Sequence, residues 1–179
     1  NNVMSLIEKL GALPGLEELL LTTNGAQLDK YAAPLKAAGV KRINISLDSL
    51  DAKRFKRISR VGKLERVLAG IDAAKAAGFE RIRLNAVVMR GYNDDEVVAL
   101  TDYAVERDID IAFIEEMPLG EASDHDREQT TCSNDWVQGI IAEAYQLTDV
   151  TAKTAGPSRY VRIEGKNSRI GFISPVTHN

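Results

Sequence analysis

One repeated phrase constrains this chain more than any other feature: KAAGVKRI at Lys36–Ile43 returns 39 residues later as KAAGFERI at Lys75–Ile82. Each copy reads as a helix C-terminus, a glycine at the position where helices end in a left-handed residue, a turn, and a strand start. Parallel strands need a connection long enough to hold a helix, so a helix–glycine–strand unit at this period predicts βα units feeding one parallel sheet. The rest of the chain agrees. Apolar positions at Val3, Met4, Leu6, Ile7 and Leu10 predict a helix over Val3–Leu13, interrupted by the stop signals Gly11 and Pro14. Strands are predicted at Glu18–Gly25, Lys41–Asp48, Arg81–Met89 and Asp110–Met117, with helices at Leu28–Ala38, Lys63–Ala77 and Asp94–Arg107. The turn GYNDDE (Gly91–Glu96) reads as the lead into an N-capped helix.

The alternation stops after Gly120. A polar loop, Glu121–Ser133, precedes a helix over Ser133–Leu147 that has Ser133 as its N-cap and Asp135 in its first turn. Three short β-like segments, TDVTAKT, RYVRIEG and RIGFIS, are separated by Gly156-Pro157 and by Gly165-Lys166-Asn167, the pattern of a small antiparallel meander. The predicted division is residues 1–120 as a partial (βα) barrel and residues 121–179 as a loop, helix and β linker. The chain opens on Asn1 and runs straight into helical periodicity, which reads as a piece of something longer.

Strand parity brings composition into the argument. In KRINISLD, Ile43, Ile45 and Leu47 point one way and Asn44, Ser46 and Asp48 the other; in RIRLNAVV, Ile82, Leu84 and Ala86 oppose Arg83, Asn85 and Val87. Parallel strands covered by helices on both faces are apolar throughout, so a polar face on such strands must meet something polar. The lumen of a (βα) barrel holding a polar ligand is the simplest answer. Polar residues also gather at strand C-terminal ends (Thr22 to Asn24, Ser46 and Asp48, Asn85, Glu115 to Met117), where α/β proteins bind ligands.

Several other chemistries are set aside. With 23 basic against 26 acidic residues, the net charge of −3 offers no general grip on nucleic acid. No apolar run approaches the ~20 residues of a membrane span. The single cysteine, Cys132, excludes a disulfide framework and a self-contained iron–sulfur cluster, and with no neighbouring base it is no nucleophile. His125 and His178 lack metal-ligand spacing. Glu115 and Glu116 are adjacent on a strand, so they face opposite sides and cannot form a carboxylate pair. The run Lys53–Lys63 has six basic residues and no acid; it reads as a solvated helix face or a phosphate or partner patch.

LTTNG (Leu21–Gly25), RINISLDSLDAKRFKRI (Arg42–Ile58), LNAVVMRGYNDDE (Leu84–Glu96), FIEEMPLG (Phe113–Gly120) and GFISPVTHN (Gly171–Asn179) together resemble, in order and spacing, the MoaA family. These are the radical S-adenosylmethionine GTP 3′,8-cyclases of molybdenum-cofactor biosynthesis. The resemblance implies the central part of an incomplete (βα) TIM-type barrel of the radical SAM type, with a small C-terminal antiparallel β segment. It implies S-adenosylmethionine as cofactor and two [4Fe–4S] clusters whose ligands lie outside this chain, and GTP as substrate. In such an enzyme a 5′-deoxyadenosyl radical abstracts the 3′ hydrogen of GTP, and the carbon radical attacks C8 of guanine. Ser46, Met117 and Asn85 match positions at the cofactor; Thr22 and Arg83 match positions at GTP. Arg83 stands where the family usually has lysine, and Ala112 where many relatives have arginine. The resemblance further implies a cytoplasmic homodimer passing its product towards cyclic pyranopterin monophosphate synthase, with this segment inactive alone.

Two other readings compete. A cluster-free βα-barrel lyase acting on a phosphorylated metabolite would want a Schiff-base lysine at a strand end or a metal constellation, and Lys41 lies at a strand start. A non-catalytic fold would bind a partner through Lys53–Lys63.

Overall fold

The computed structural model describes residues 3–60, 62–117, 127–150 and 158–175. Elements alternate as α1 (Val3–Gly11), β1 (Leu19–Thr23), α2 (Leu28–Ala37), β2 (Val40–Ser46), α3 (Ala52–Ser59), α4 (Leu64–Ala77) and β3 (Arg81–Val88). A 3-10 turn (Asp94–Glu96) leads into α5 (Val97–Glu106), then β4 (Asp110–Glu115), α6 (Arg127–Thr130), α7 (Asn134–Ala144), β5 (Leu147–Asp149), β6 (Ser158–Ile163) and β7 (Arg169–Ile173). The strands form one mixed sheet in the order β1-β2-β3-β4-β7-β6-β5. This is the α/β architecture that the repeat predicts.

The chain falls into two compact units, Asn1–Leu47 with Asp51–Leu84, and Asp48–Leu50 with Asn85–Asn179; β3 runs through both. In the first, the two repeated glycines end α2 and α4 with φ of 94° at Gly39 and 72° at Gly78, a backbone state that side-chain-bearing residues rarely adopt. Helices α2 and α4 pack together and contribute Leu28, Leu35, Val67 and Ile71 to the core. Parity holds on β2, where Ile43, Ile45 and Leu47 have no exposed surface. On β3, Ile82, Leu84, Ala86 and Val88 are buried while Arg81, Arg83, Asn85 and Val87 are half-buried.

In the second unit, β4 pairs parallel with β7, and β6 pairs antiparallel with both β7 and β5. The tail strands are thus antiparallel to one another as predicted, but they extend the main sheet through β7. Ile170, Gly171 and Phe172 are buried because β7 has a neighbour at each edge. The Ser133 hydroxyl caps α7 by accepting the Trp136 N–H at 3.2 Å. That helix ends at Ala144 rather than Leu147, since Tyr145 turns extended and Leu147–Asp149 is taken as β5. Residues 151–157, most of the TDVTAKT segment, and both histidines lie outside the described residues.

Candidate functional site

Thr22, Ser46 and Met117 sit at or just beyond strand C-terminal ends, whereas Arg83 and Asn85 are the third and fifth of the eight residues of β3. In the first unit, Thr22 is exposed near the end of β1, in register with Asn44 of β2, and its Oγ1 accepts a hydrogen bond from Asn44 Nδ2 at 3.3 Å. Asn44, itself buried, is a member of the polar face for which parity alone suggests no task. Arg83 is half-buried on the polar parity of β3, and Ser46 is half-buried as the last residue of β2.

In the second unit, Asn85 holds its Oδ1 buried with no hydrogen-bond partner among the described residues. An unsatisfied buried acceptor costs about 1–3 kcal/mol, so an atom left this way on a half-buried strand residue is one that a ligand donor would satisfy. Met117, just beyond β4, is 38% exposed, an available apolar surface. Ala112 is fully buried and lies opposite Gly171, over whose Cα the Tyr160 ring closes; no basic contact arises there.

Beside Asn85 the strand exits are saturated with hydrogen bonds. Asp48 Oδ1 accepts the Val87 N–H at 2.9 Å, and burial pushes the Asp48 carboxyl above its ordinary value while that hydrogen bond opposes the shift. The predicted N-cap at GYNDDE takes a different form. Asn93 caps no helix; its amide turns inward to Met89 N–H and to the carbonyls of Asp48 and Val87. Glu115 and Glu116 are held apart as parity requires: Glu115 accepts the Asn134 N–H and Glu116 the Thr130 hydroxyl. Cys132 is buried and its thiol is pushed up, chiefly by desolvation, which suits an inert core residue. Lys41 Nζ donates to the Glu17 carbonyl on an exposed surface, remote from Schiff-base chemistry. Among the described residues no group of three His, Cys, Asp or Glu side chains could hold a metal, and no helix is long and apolar enough to cross a membrane.

The model of the Radical SAM superfamily matches residues 2–104. The chain belongs to the radical SAM superfamily. A second model, Molybdenum Cofactor Synthesis C, follows over residues 109–179. Among curated proteins the chain is similar to a GTP 3′,8-cyclase of Ectopseudomonas mendocina (strain ymp), 55% identical over 99% of the chain and 54% of that protein. It is also similar to GTP 3′,8-cyclase 1 of Pseudomonas aeruginosa, 56% identical with the same coverage. The chain spans about half the length of the curated relatives it matches. Among solved structures, TYW1 with a lysine-pyruvate adduct bound shares the fold, with a TM-score of 0.51 at 18% identity over 75% of this chain and 44% of that one.

Radical SAM membership implies S-adenosylmethionine and a [4Fe–4S] cluster. The cluster finds no ligand set in these residues, because several thiolates are needed and Cys132, buried in the core, is the single cysteine. A polar cofactor fits better: the buried Asn85 Oδ1, without a partner among the described residues, is an acceptor that its donors could satisfy.

Proposed function

We propose that this segment supplies the S-adenosylmethionine- and GTP-holding wall of a GTP 3′,8-cyclase in molybdenum-cofactor biosynthesis. The observation that carries the reading is the tandem match, radical SAM and then Molybdenum Cofactor Synthesis C, with 55% identity to a named GTP 3′,8-cyclase across 99% of the chain. Residues 1–120 would form the barrel part, and residues 121–179 the linker towards a second cluster region. When bound, S-adenosylmethionine supplies a carbon-centred radical by reductive cleavage.

The chain's own residues bind and orient. Ser46, Asn85 and Met117 would hold the cofactor, the first two through polar groups and Met117 through its exposed apolar surface. The Thr22 hydroxyl, oriented by Asn44 Nδ2, and the Arg83 guanidinium hold GTP. Arginine replaces a lysine point charge by a planar fork that suits phosphate oxygens. None of these side chains needs to exchange a proton in the hydrogen-abstraction step; their work is positioning and exclusion of water. The same reading includes a cytoplasmic homodimer whose product passes to cyclic pyranopterin monophosphate synthase. Lys41, exposed at the start of β2 and bonded to the Glu17 carbonyl, leaves the lyase alternative without a lysine at a strand C-terminal end.

The test uses the full-length protein, reconstituted anaerobically with iron and sulfide and supplied with a reductant. Incubation with S-adenosylmethionine and GTP is expected to give 3′,8-cyclo-7,8-dihydro-GTP and 5′-deoxyadenosine, read by mass spectrometry; neither product would overturn the reading. Arg83→Ala removes a charge-assisted contact of roughly 1.5–3 kcal/mol, so GTP affinity should fall about ten- to a hundredfold. Arg83→Lys should restore most of it. Unchanged GTP affinity in Arg83→Ala would remove Arg83 from the site.

A further inference from the structure

The turn Gly91–Glu96 plays no part in the reading above, yet its side chains reach far beyond a cap. Asn93 has no exposed surface. Its Nδ2 donates to the carbonyls of Asp48 at 2.6 Å and Val87 at 2.8 Å, and its Oδ1 accepts the Met89 N–H at 2.8 Å. One side-chain amide therefore joins three backbone groups from two strand exits. Asp48 Oδ1 adds a fourth link by accepting the Val87 N–H. Glu96 extends the stitch: its Oε2 accepts the Ser49 hydroxyl at 2.7 Å and its Oε1 the Leu50 N–H at 2.9 Å. Asp94 Oδ1 closes the turn itself on the Gly91 N–H at 2.7 Å.

This is more fixation than a connecting loop requires. Backbone groups leaving a sheet ordinarily turn to water; here the Asp48 and Val87 carbonyls and the Leu50 and Met89 N–H groups are satisfied by side chains of one short turn. Val87 lies two residues beyond Asn85, so its ties act on the strand position of the same parity as a proposed cofactor contact. The Asn85 Oδ1 that this frame leaves unsatisfied is the acceptor aligned with that use. A rigid, fully bonded frame around a free acceptor is how a binding group is held ready before its ligand arrives.

We infer that Asn93 and Glu96 are positioning residues for S-adenosylmethionine: by tying the exit of β3 to the segment 48–50 they set the direction of Asn85. The inference rests on the assignment of Asn85 to the cofactor. Thr22 on β1 and Arg83, four residues before Val87, are not tied by these bonds, so the effect on GTP should be small.

The experiment measures equilibrium binding of S-adenosylmethionine and of GTP separately, on the anaerobically reconstituted full-length protein. Asn93→Ala leaves three buried backbone groups unpaired and is expected to weaken S-adenosylmethionine binding about ten- to a hundredfold, with GTP binding changed less than about threefold. Glu96→Gln keeps one of its two acceptor roles and should weaken the cofactor about three- to tenfold, in the same selective way. It carries the test if Asn93→Ala does not fold. A role confined to stability would weaken both ligands alike, so an equal loss, or an unchanged cofactor affinity, overturns the inference. Loss of cofactor binding in Asn85→Ala with none in Asn93→Ala or Glu96→Gln would refute the inference and leave the site assignment standing. No cofactor binding by the unsubstituted protein would refute both.

Discussion

Strands β1 and β4 are both short apolar runs, and they meet opposite fates. Asp110 to Phe113 of β4 are buried at every position, whereas LLLTT of β1 alternates between half-buried and exposed, with Leu20 38% exposed. The difference is one of neighbours. β4 is flanked on both edges, by β3 and β7; β1 closes the strand order and pairs with β2 alone. The helix before β1 continues the contrast, leaving Val3 and Leu6 more than half exposed. Apolar sequence makes a strand, and the number of flanking strands and covering helices decides how much of it leaves water.

The strongest way to break this comparison is to truncate one large side chain in each strand. Phe113→Ala removes a fully buried ring from β4 and should cost about 3–5 kcal/mol, the range for an aromatic deleted from a close-packed core. Leu20→Ala on β1 should stay within about 0.5 kcal/mol, as exposed substitutions do. Urea unfolding of both variants measures the gap. Similar losses would mean that β1 is as well covered as β4.

Ion pairs offer a second, smaller contrast. Asp110, at the start of β4, takes two hydrogen bonds from the Arg169 guanidinium, at 3.2 and 2.8 Å, and a third from the Arg169 N–H at 2.8 Å. The side chains are only 7% and 16% exposed. Asp110→Ala leaves the arginine charge buried beside an apolar core and should destabilise by about 3 kcal/mol. Beside β1, the Glu18–Arg42 pair is 41% and 37% exposed at 3.3 Å, and Glu18→Ala should cost no more than about 0.5 kcal/mol. Raising salt should erase the second effect and leave most of the first. A large, salt-resistant loss at Glu18 would contradict the distinction.

What could be read in advance follows the range of the interactions. The repeat with Gly39 and Gly78, the alternation of β2 and β3, and the Ser133 cap are written within a few residues of one another, and all are present. The insertion of β7 between β4 and β6 joins residues some sixty positions apart, and no local pattern distinguishes it from a separate meander. Asn93 shows the limit most plainly. An Asn before DDE is a good local cap, yet its amide finds the Asp48 carbonyl 45 residues away. The Thr22–Asn44 bond was half-legible: parity set Asn44 on a polar face and Thr22 stood among the polar strand-end residues, but only the β1–β2 register shows them opposite each other.

The last and smallest prediction sets half-buried Asp48 against buried Asp110, because the two carboxyls are compensated differently. Asp110 has an arginine; the Asp48 Oδ1 has a backbone N–H, and burial outweighs it, so the Asp48 carboxyl titrates above its ordinary value. The folded protein then keeps this proton to a higher pH than the unfolded chain does. Between the two titrations the folded state binds more protons, and stability from this group, complete below the unfolded value, is lost as pH rises through the folded one. Asp48→Asn keeps an oxygen for the Val87 N–H and buries no charge. Its melting temperature should therefore exceed that of the parent by about 2–4 °C at pH 8, a gain of about 1 kcal/mol, and the advantage should shrink towards pH 4. Asp110→Asn, which gives up a charge partner of Arg169, should be destabilised at pH 8 instead. Calorimetry at several pH values separates the cases: an Asp48→Asn gain that does not depend on pH would show that the Asp48 carboxyl is not the cause.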